Sequence, residues 1–197
     1  MKIIKIDPKN PSLEAIKKAA RIIKNGGVIV YPTDTCYGLG TSAFDEKAIK
    51  KVYKIKGRNF NKPLSIIIRS LKSAKVVAKI NKKQEEYFKE KLPGPYTLIF
   101  KKKKILPNIL TGGLETVGIR LPKYRLTKLL SEEVLIPYTA TSANISGQPP
   151  CYSIADFLKQ ISQNSIKPDL ILDAGSLPRR PLSRIIDLTG YHLKILR

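Results

Sequence analysis

Read from the N-terminus, short apolar runs alternate with amphipathic ones. KIIKI, residues 2–6, alternates in the manner of a strand. NPSLEAIKKAARIIKNGG then takes the period of a helix, with Leu13, Ile16, Ala20 and Ile23 as its stripe. Asn10 or Ser12 is the expected cap, Pro11 sits near the first turn, and Gly26 and Gly27 end the helix. VIVYP, 28–32, reads as a buried strand closed by proline. Asp45 is positioned to cap a second helix through Tyr53, with Ile49 and Val52 turned inward. LSIII (64–68) reads as a strand, followed by helices near 71–79 and 82–91. Strands YTLIFK (96–101) and TVGIRL (116–121), a helix near 124–131 and strand IPYTAT (136–141) come next. A helix from Ser153 to about Ile161 precedes strands DLILD (169–173), RIIDL (184–188) and HLKIL (192–196).

This order predicts an α/β fold of the α+β type, an open twisted mixed sheet with helices packed on it. Three late strands without intervening helices argue against a purely parallel sheet. With no internal repeat and no low-complexity linker, residues 1–197 read as a single domain. The 42% hydrophobic content supplies a buried core, and no run approaches the ~20 apolar residues of a membrane span. MKIIKIDPKN meets a polar break too early for a secretory signal. Cys36 and Cys151 do not make a disulfide framework. The expectation is a cytoplasmic protein without a membrane partner.

Charge sharpens the picture. Lys and Arg number 37 against 15 Asp and Glu, a net charge of +22. Such an excess favours a polyanionic partner, through phosphate neutralisation and counterion release. It is equally the mark of a lysine-rich surface, since only nine of the 37 are arginine. Against this background, Asn25 through Glu46 contains neither Lys nor Arg, and it holds the stretch YPTDTCYGLG.

Several chemistries are excluded. The one histidine, His192, lies in the last predicted strand among alternating neighbours, so a Ser-His-Asp or Cys-His arrangement has no good base. Two cysteines 115 positions apart and one histidine do not make a zinc set, and no metal-ligating residue is predicted. GLGTSA, Gly38 to Ala43, formally fits a dinucleotide fingerprint. It is rejected because five residues separate it from the strand and GRNFNKP stands where a ribose-binding acid is needed.

Four polar constellations stand at the ends of predicted strands, where open α/β sheets place ligands. In PTDTCYG, Thr33 and Thr35 alternate with Asp34 and Cys36, so both hydroxyls can face one way, and Gly38 and Gly40 allow a ligand close to the backbone. A turn with hydroxyl caps accounts for the same residues. In YKIKGRNFNKPLS, Lys54, Lys56, Arg58 and Lys62 can surround a triphosphate or simply be solvated. In TVGIRLP, Arg120 sits in an apolar strand and needs an anion, either a structural Asp or Glu or a substrate carboxylate. In ATSANISGQPP, Ser142, Asn144 and Ser146 suit a phosphate or nucleoside edge, or a hydrophilic turn. Cys36 has no activating neighbour and reads as a packing residue, and Lys101 to Lys104 as a solvated hairpin tip.

Taken in order, PTDTCYGLG, KGRNFNKPLS, LPGPYTL, TVGIRLP, TATSANISG and PLSRIIDLTG resemble the signature blocks of the YrdC-like threonylcarbamoyl-AMP synthases, from about residue 20 onward. The resemblance implies the YrdC-like fold with a large basic cavity. It implies synthesis of threonylcarbamoyl-AMP and pyrophosphate from L-threonine, bicarbonate or CO2, and ATP with Mg2+ held mainly by its phosphates. A separate threonylcarbamoyl transferase machinery would then modify adenosine 37 of ANN-decoding tRNAs. By resemblance, Thr35, Arg120, Ala140 and Ser183 bind threonine. Lys56 and Arg58 are the expected catalytic cations, and Arg58, Lys62, Thr116, Ser142, Pro150 and Arg197 surround ATP. A segment free of lysine suits a zwitterion whose amine must stay free to attack.

The chain departs from the pattern in places. Asn59 and Thr141 stand where relatives often have proline, Ile66 to Ile68 where many have a histidine, and Arg184 where a small β-branched residue is usual, adding charge at the rim of the site. The chain has the short form, ending in ILR. A non-catalytic module of the same fold, binding tRNA or double-stranded RNA, is the alternative reading.

Overall fold

Alternation of side chains along short strands, more than strand length, decides how this chain packs. The computed structural model describes residues 1–190 and 192–196. The elements are β1 (Lys2–Lys5), α1 (Leu13–Lys24), β2 (Ile29–Pro32), β3 (Tyr37–Gly40), α2 (Glu46–Lys56), β4 (Ile66–Ile67), α3 (Leu71–Val77), β5 (Ala78–Lys79) and α4 (Lys82–Lys91). They continue with β6 (Tyr96–Lys102), β7 (Thr116–Arg120), α5 (Arg125–Val134), β8 (Tyr138–Thr139), β9 (Thr141–Ser142), α6 (Ile154–Gln160), β10 (Leu170–Asp173), β11 (Arg184–Asp187) and β12 (Lys194–Ile195).

The mixed pairing is as expected, but the described strands form two sheets. The first has the order β1-β10-β2-β3-β9, parallel through β2 and antiparallel beyond it. Ile29, Tyr31, Leu170 and Leu172 pack with α1 and α5, while Val30 and Ile171 enter a larger cluster on the other face. Burial on both faces explains why VIV and LIL are continuous apolar runs. The second sheet has the order β12-β11-β6-β7-β4-β8. Leu98, Phe100, Val117, Ile119 and Ile186 face its core, so the alternate residues of β6, β7 and β11 face elsewhere.

Residues Tyr138 to Ser142 belong to both sheets: β8 pairs with β4 in the second, and β9 with β3 in the first. Between them the Ala140 N–H donates to Ser65 O at 2.7 Å.

Several local expectations hold. The Asp45 carboxylate accepts from the Ala48 N–H at 3.0 Å, and Gly57 takes the left-handed conformation (φ 55°) that ends α2. Others change. Leu13 opens α1 facing solvent, 58% exposed, and Ser12 caps without a side-chain bond. The late strands divide between sheets, β10 in the first and β11 and β12 in the second. The segment YGLG, assigned to no element from the sequence, is strand β3. An added Cβ on Gly40 would lie 2.7 Å from Tyr31 Cε1, and on Gly38 3.1 Å from Tyr31 Cζ. These glycines therefore admit the Tyr31 ring, not a ligand. That ring is fixed further by its hydroxyl, which donates to Thr139 O at 2.9 Å, and by edge contact with Tyr138 at 5.6 Å.

Candidate active site

The residues of the second sheet that alternate away from its core line a cavity of about 370 Å³. Thr97 and Ile99 of β6, Thr116, Gly118 and Arg120 of β7, and Ile185 of β11 form its floor. Gly118 lets Ser65 and Thr97 close over it: a Cβ would lie 2.7 Å from Ser65 Oγ and 3.0 Å from Thr97 Cγ2. The β2–β3 turn of the first sheet brings Thr35 and Cys36 to the same space, and the crossing strand brings Ala140, Thr141 and Ser142.

The hydroxyls of the β2–β3 turn are ordered by a hydrogen inventory. Thr33 Oγ1 donates its one hydrogen to Cys36 O at 2.7 Å and accepts from the Thr35 and Cys36 amides. With that hydrogen so used, Thr33 cannot donate across the 3.1 Å contact between the two threonine hydroxyls; only Thr35 can, in competition with the two amides. Its lone pairs are left for Arg120 Nη2, 3.5 Å away, and for whatever enters the cavity.

Arg120 is 8% exposed and needs the anion that its apolar strand called for. Asp34 supplies one: Nη2 donates to Asp34 Oδ1 at 2.9 Å. The pair is half made, since Asp34 Oδ2 and Arg120 Nε are buried without hydrogen-bond partners. Burial pushes the Asp34 carboxyl upward, against the pull of the Arg120 charge. Sequence reading missed this partner because simple alternation set Asp34 opposite Thr35. Arg120 lines the cavity and Asp34 does not, so the guanidinium lies between its resident carboxylate and the open space.

On the other side Arg58 Nη2 donates to Pro63 O at 3.0 Å and Nε to Lys62 O at 3.3 Å. Two carbonyls thus orient the guanidinium at the cavity wall. Ser142 Oγ donates to Asn144 Oδ1 at 2.6 Å, which leaves its lone pairs open to the cavity. On the floor, Thr97 Oγ1 and Ser183 Oγ are 2.9 Å apart.

Of the sequence-predicted site residues, Thr35, Arg58, Thr116, Arg120, Ala140, Ser142 and Ser183 come together around this cavity. Lys56, Lys62 and Pro150 are not among its lining. Lys56 is 1% exposed, and its Nζ donates to Ser142 O, Asn144 O and Asn144 Oδ1, at 2.5, 2.9 and 2.8 Å. It ties the end of α2 to the Ser142–Asn144 loop from beneath, one layer behind the cavity lining. Lys62 contributes its carbonyl to Arg58 while its side chain faces solvent. The cationic wall among described lining residues is therefore two guanidiniums and no lysine. Arg197 lies outside the described residues. Cys36 lines the cavity, and burial pushes its thiol upward, which suits a packing residue. Ser65, Thr97 and Gly118 were not singled out in the sequence. Thr97 sits in the block LPGPYTL, where its alternation with buried Leu98 was the available signal.

The sequence profile of the Sua5/YciO/YrdC family, described as "Telomere recombination", matches residues 21–197. The chain belongs to this family. Among curated members of the Sua5/YciO/YrdC family, the threonylcarbamoyl-AMP synthase of Pyrococcus abyssi is 38% identical over 187 residues, 92% of this chain and 53% of the relative. A putative threonylcarbamoyl-AMP synthase of Methanocaldococcus jannaschii is 37% identical over 192 residues, 95% of this chain and 87% of the relative. The crystal structure of P. abyssi Sua5 complexed with L-threonine superposes with a TM-score of 0.90 at 36% identity, covering 100% of this chain and 57% of that one. Escherichia coli YciO superposes at 0.88 with 28% identity, covering 100% and 95%. The chain spans about half the length of the Pyrococcus relative. The expected YrdC-like fold is thus met, with the sheet divided in two. Among the described residues no helix is long and apolar enough to cross a membrane.

Proposed function

We propose that the protein is an L-threonylcarbamoyladenylate synthase, an enzyme of the nucleotidyltransferase class. The observation that carries this reading is the meeting of Thr35, Arg120, Ala140 and Ser183 with Arg58, Thr116 and Ser142 around one cavity. Family membership and the names of the relatives support it.

In this reading Arg120 takes the carboxylate of L-threonine, and the lone pairs of Thr35 Oγ1 accept from its ammonium. With no lysine in the described lining, no mobile ammonium competes with Arg120 for that carboxylate or crowds that ammonium. Once deprotonated, the amine adds to CO2, supplied as such or from bicarbonate with loss of water, and gives a carbamate. A carbamate oxygen attacks the α-phosphorus of ATP, the bond to the bridging oxygen breaks, and pyrophosphate leaves with the electron pair. Charge grows on phosphoryl oxygens, so positioning and a fixed guanidinium, Arg58, carry more of the work than acid–base exchange. ATP enters as its magnesium complex, the ion belonging to the substrate. The product passes to a transferase machinery that modifies adenosine 37 of tRNA.

The test is pyrophosphate release by the purified chain. It is expected only when L-threonine, bicarbonate and MgATP are present together. Serine lacks one methyl and turns over less well, by roughly 1 kcal/mol in kcat/KM. Release independent of threonine would remove the assignment, and no release at all would favour a non-catalytic module.

A further inference from the structure

The hydroxyls that line the cavity are not alike. Those of Thr35 and Ser142 are engaged with Thr33 and Asn144, and those of Thr97 and Ser183 with each other. Ser65 lines the same space, and its Oγ makes no hydrogen bond within the described residues. Its backbone is well anchored: the Ser65 carbonyl accepts from the Ala140 N–H at 2.7 Å, and the residue leads directly into β4. Strand β4 runs parallel to β7 with Ile66 opposite Ile119, so Ser65 stands one step earlier, beside Gly118. Its Oγ lies 2.7 Å from where a Cβ of Gly118 would be.

Gly118 holds a middle position. Thr116, Gly118 and Arg120 alternate onto the cavity face of β7. Same-face neighbours on a strand are about 7 Å apart, so Gly118 lies midway between the other two. In the proposed reaction Thr116 belongs to the nucleotide end and Arg120 holds the threonine carboxylate. The product joins its two halves through the sequence N–C–O–P, and that carbon with its oxygens comes from neither half. The level of the floor where this one-carbon unit has to sit carries no side chain of its own. A hydroxyl free to donate reaches over it.

We propose that Ser65, beside Gly118, forms the subsite for the one-carbon substrate, carbon dioxide, with Ser65 Oγ donating to one of its oxygens. The inference rests on the synthase reading above. As the threonine nitrogen attacks the carbon of CO2, the N–C bond forms, one C=O π pair moves onto oxygen, and the proton on nitrogen passes to water. The oxygen that gains charge is the one facing Ser65, so the donor is aimed where charge develops. A neutral donor suits this place better than a cation, which would hold back the carbamate oxygen that must next attack phosphorus.

The test measures pyrophosphate release from threonine and MgATP in CO2-depleted buffer. Bicarbonate is added at fixed pH, and carbonic anhydrase keeps it in equilibrium with CO2. Parent, Ser65→Ala and Ser65→Thr proteins are compared. A hydrogen bond to a charged oxygen is lost in Ser65→Ala, so its kcat/KM for inorganic carbon is expected to fall about tenfold or more. Its KM for ATP and its calorimetric Kd for threonine should stay within about twofold of the parent, which also reports that it is folded. Ser65→Thr keeps the hydroxyl and should recover most of the loss. An unchanged kcat/KM for inorganic carbon in Ser65→Ala would overturn the proposal. So would a weakened threonine Kd with a smaller preference for threonine over valine, which would give Ser65 to the side chain of the amino acid. Both outcomes leave the synthase reading intact. A parent protein without threonine-dependent release overturns that reading and this subsite with it.

Discussion

Arg120 donates to Asp34 from a strand 86 residues away, and the two side chains are only 9% and 7% exposed. The carboxylate stands behind the guanidinium, outside the cavity lining, where it can aim the charge without blocking it. Removing it leaves a buried cation unpaired. Asp34→Ala is expected to lower stability by about 3–5 kcal/mol, and Asp34→Asn by less, because the amide oxygen still accepts. Folded Asp34→Asn protein should show a raised KM for threonine, a smaller change in kcat and an unchanged KM for ATP. Steady-state pyrophosphate release with each substrate varied checks this, and an equal rise in both KM values would mean that Asp34 serves the fold alone.

Arg58 is held by the carbonyls of Lys62 and Pro63 and faces the nucleotide end of the proposed site. Arg58→Lys keeps a charge but loses the planar fork. Hydrogen bonds to charged groups contribute about 1.5–3 kcal/mol. The variant should therefore lose roughly tenfold or more in kcat/KM for ATP while its threonine affinity, read by calorimetry, stays within about twofold.

Gly40 lies against the Tyr31 ring, where a methyl would come within 2.7 Å of a ring carbon. The ring is fully buried and cannot swing aside. Gly40→Ala should destabilise by about 1–3 kcal/mol in urea melts. Pairing it with Tyr31→Leu should restore part of that loss, a coupling that a double-mutant cycle measures. Additive losses would separate the glycine from the ring.

Burial and the neighbouring Arg58 charge push the Lys56 ammonium down to about 7. Between that pH and the ordinary lysine value of about 10.4, the folded protein holds fewer protons than the unfolded chain. The contribution of Lys56 to stability therefore rises with pH across that window and is lowest below it. The stability difference between parent and Lys56→Met, measured at pH values spanning the window, should grow with pH. A flat difference would mean that the three oxygens around Nζ hold the ammonium fully protonated.

Local chemistry made α2 readable: a capping Asp45, inward Ile49 and Val52, and a terminal Gly57 all act within one element. The cavity was readable in part because Thr35, Arg120 and Ser142 stand at or beside strand ends. Strand β3 was hidden because its glycines answer to a tyrosine in the neighbouring strand, and strand propensity does not register that pressure. Lys56 and Lys62 look alike in a lysine-rich loop. What parts them is a set of oxygens 86 and 88 residues downstream, available to one and not the other. Arg184 was expected at the rim of the site. It lies exposed in an adjoining depression with Lys123 and Arg180, a grouping drawn from two separate segments.

The stretch from Tyr138 to Ser142 changes allegiance at Ala140, and that gives the hollow an unusual dependence. Successive residues there are presented by pairing on different layers, so a slip of one position would push a threonine into the place of the alanine and turn its neighbours about. The shape of the cavity wall is thus encoded in alignment as much as in residue identity. A one-residue insertion at that point would erase it while leaving every other lining side chain in the sequence.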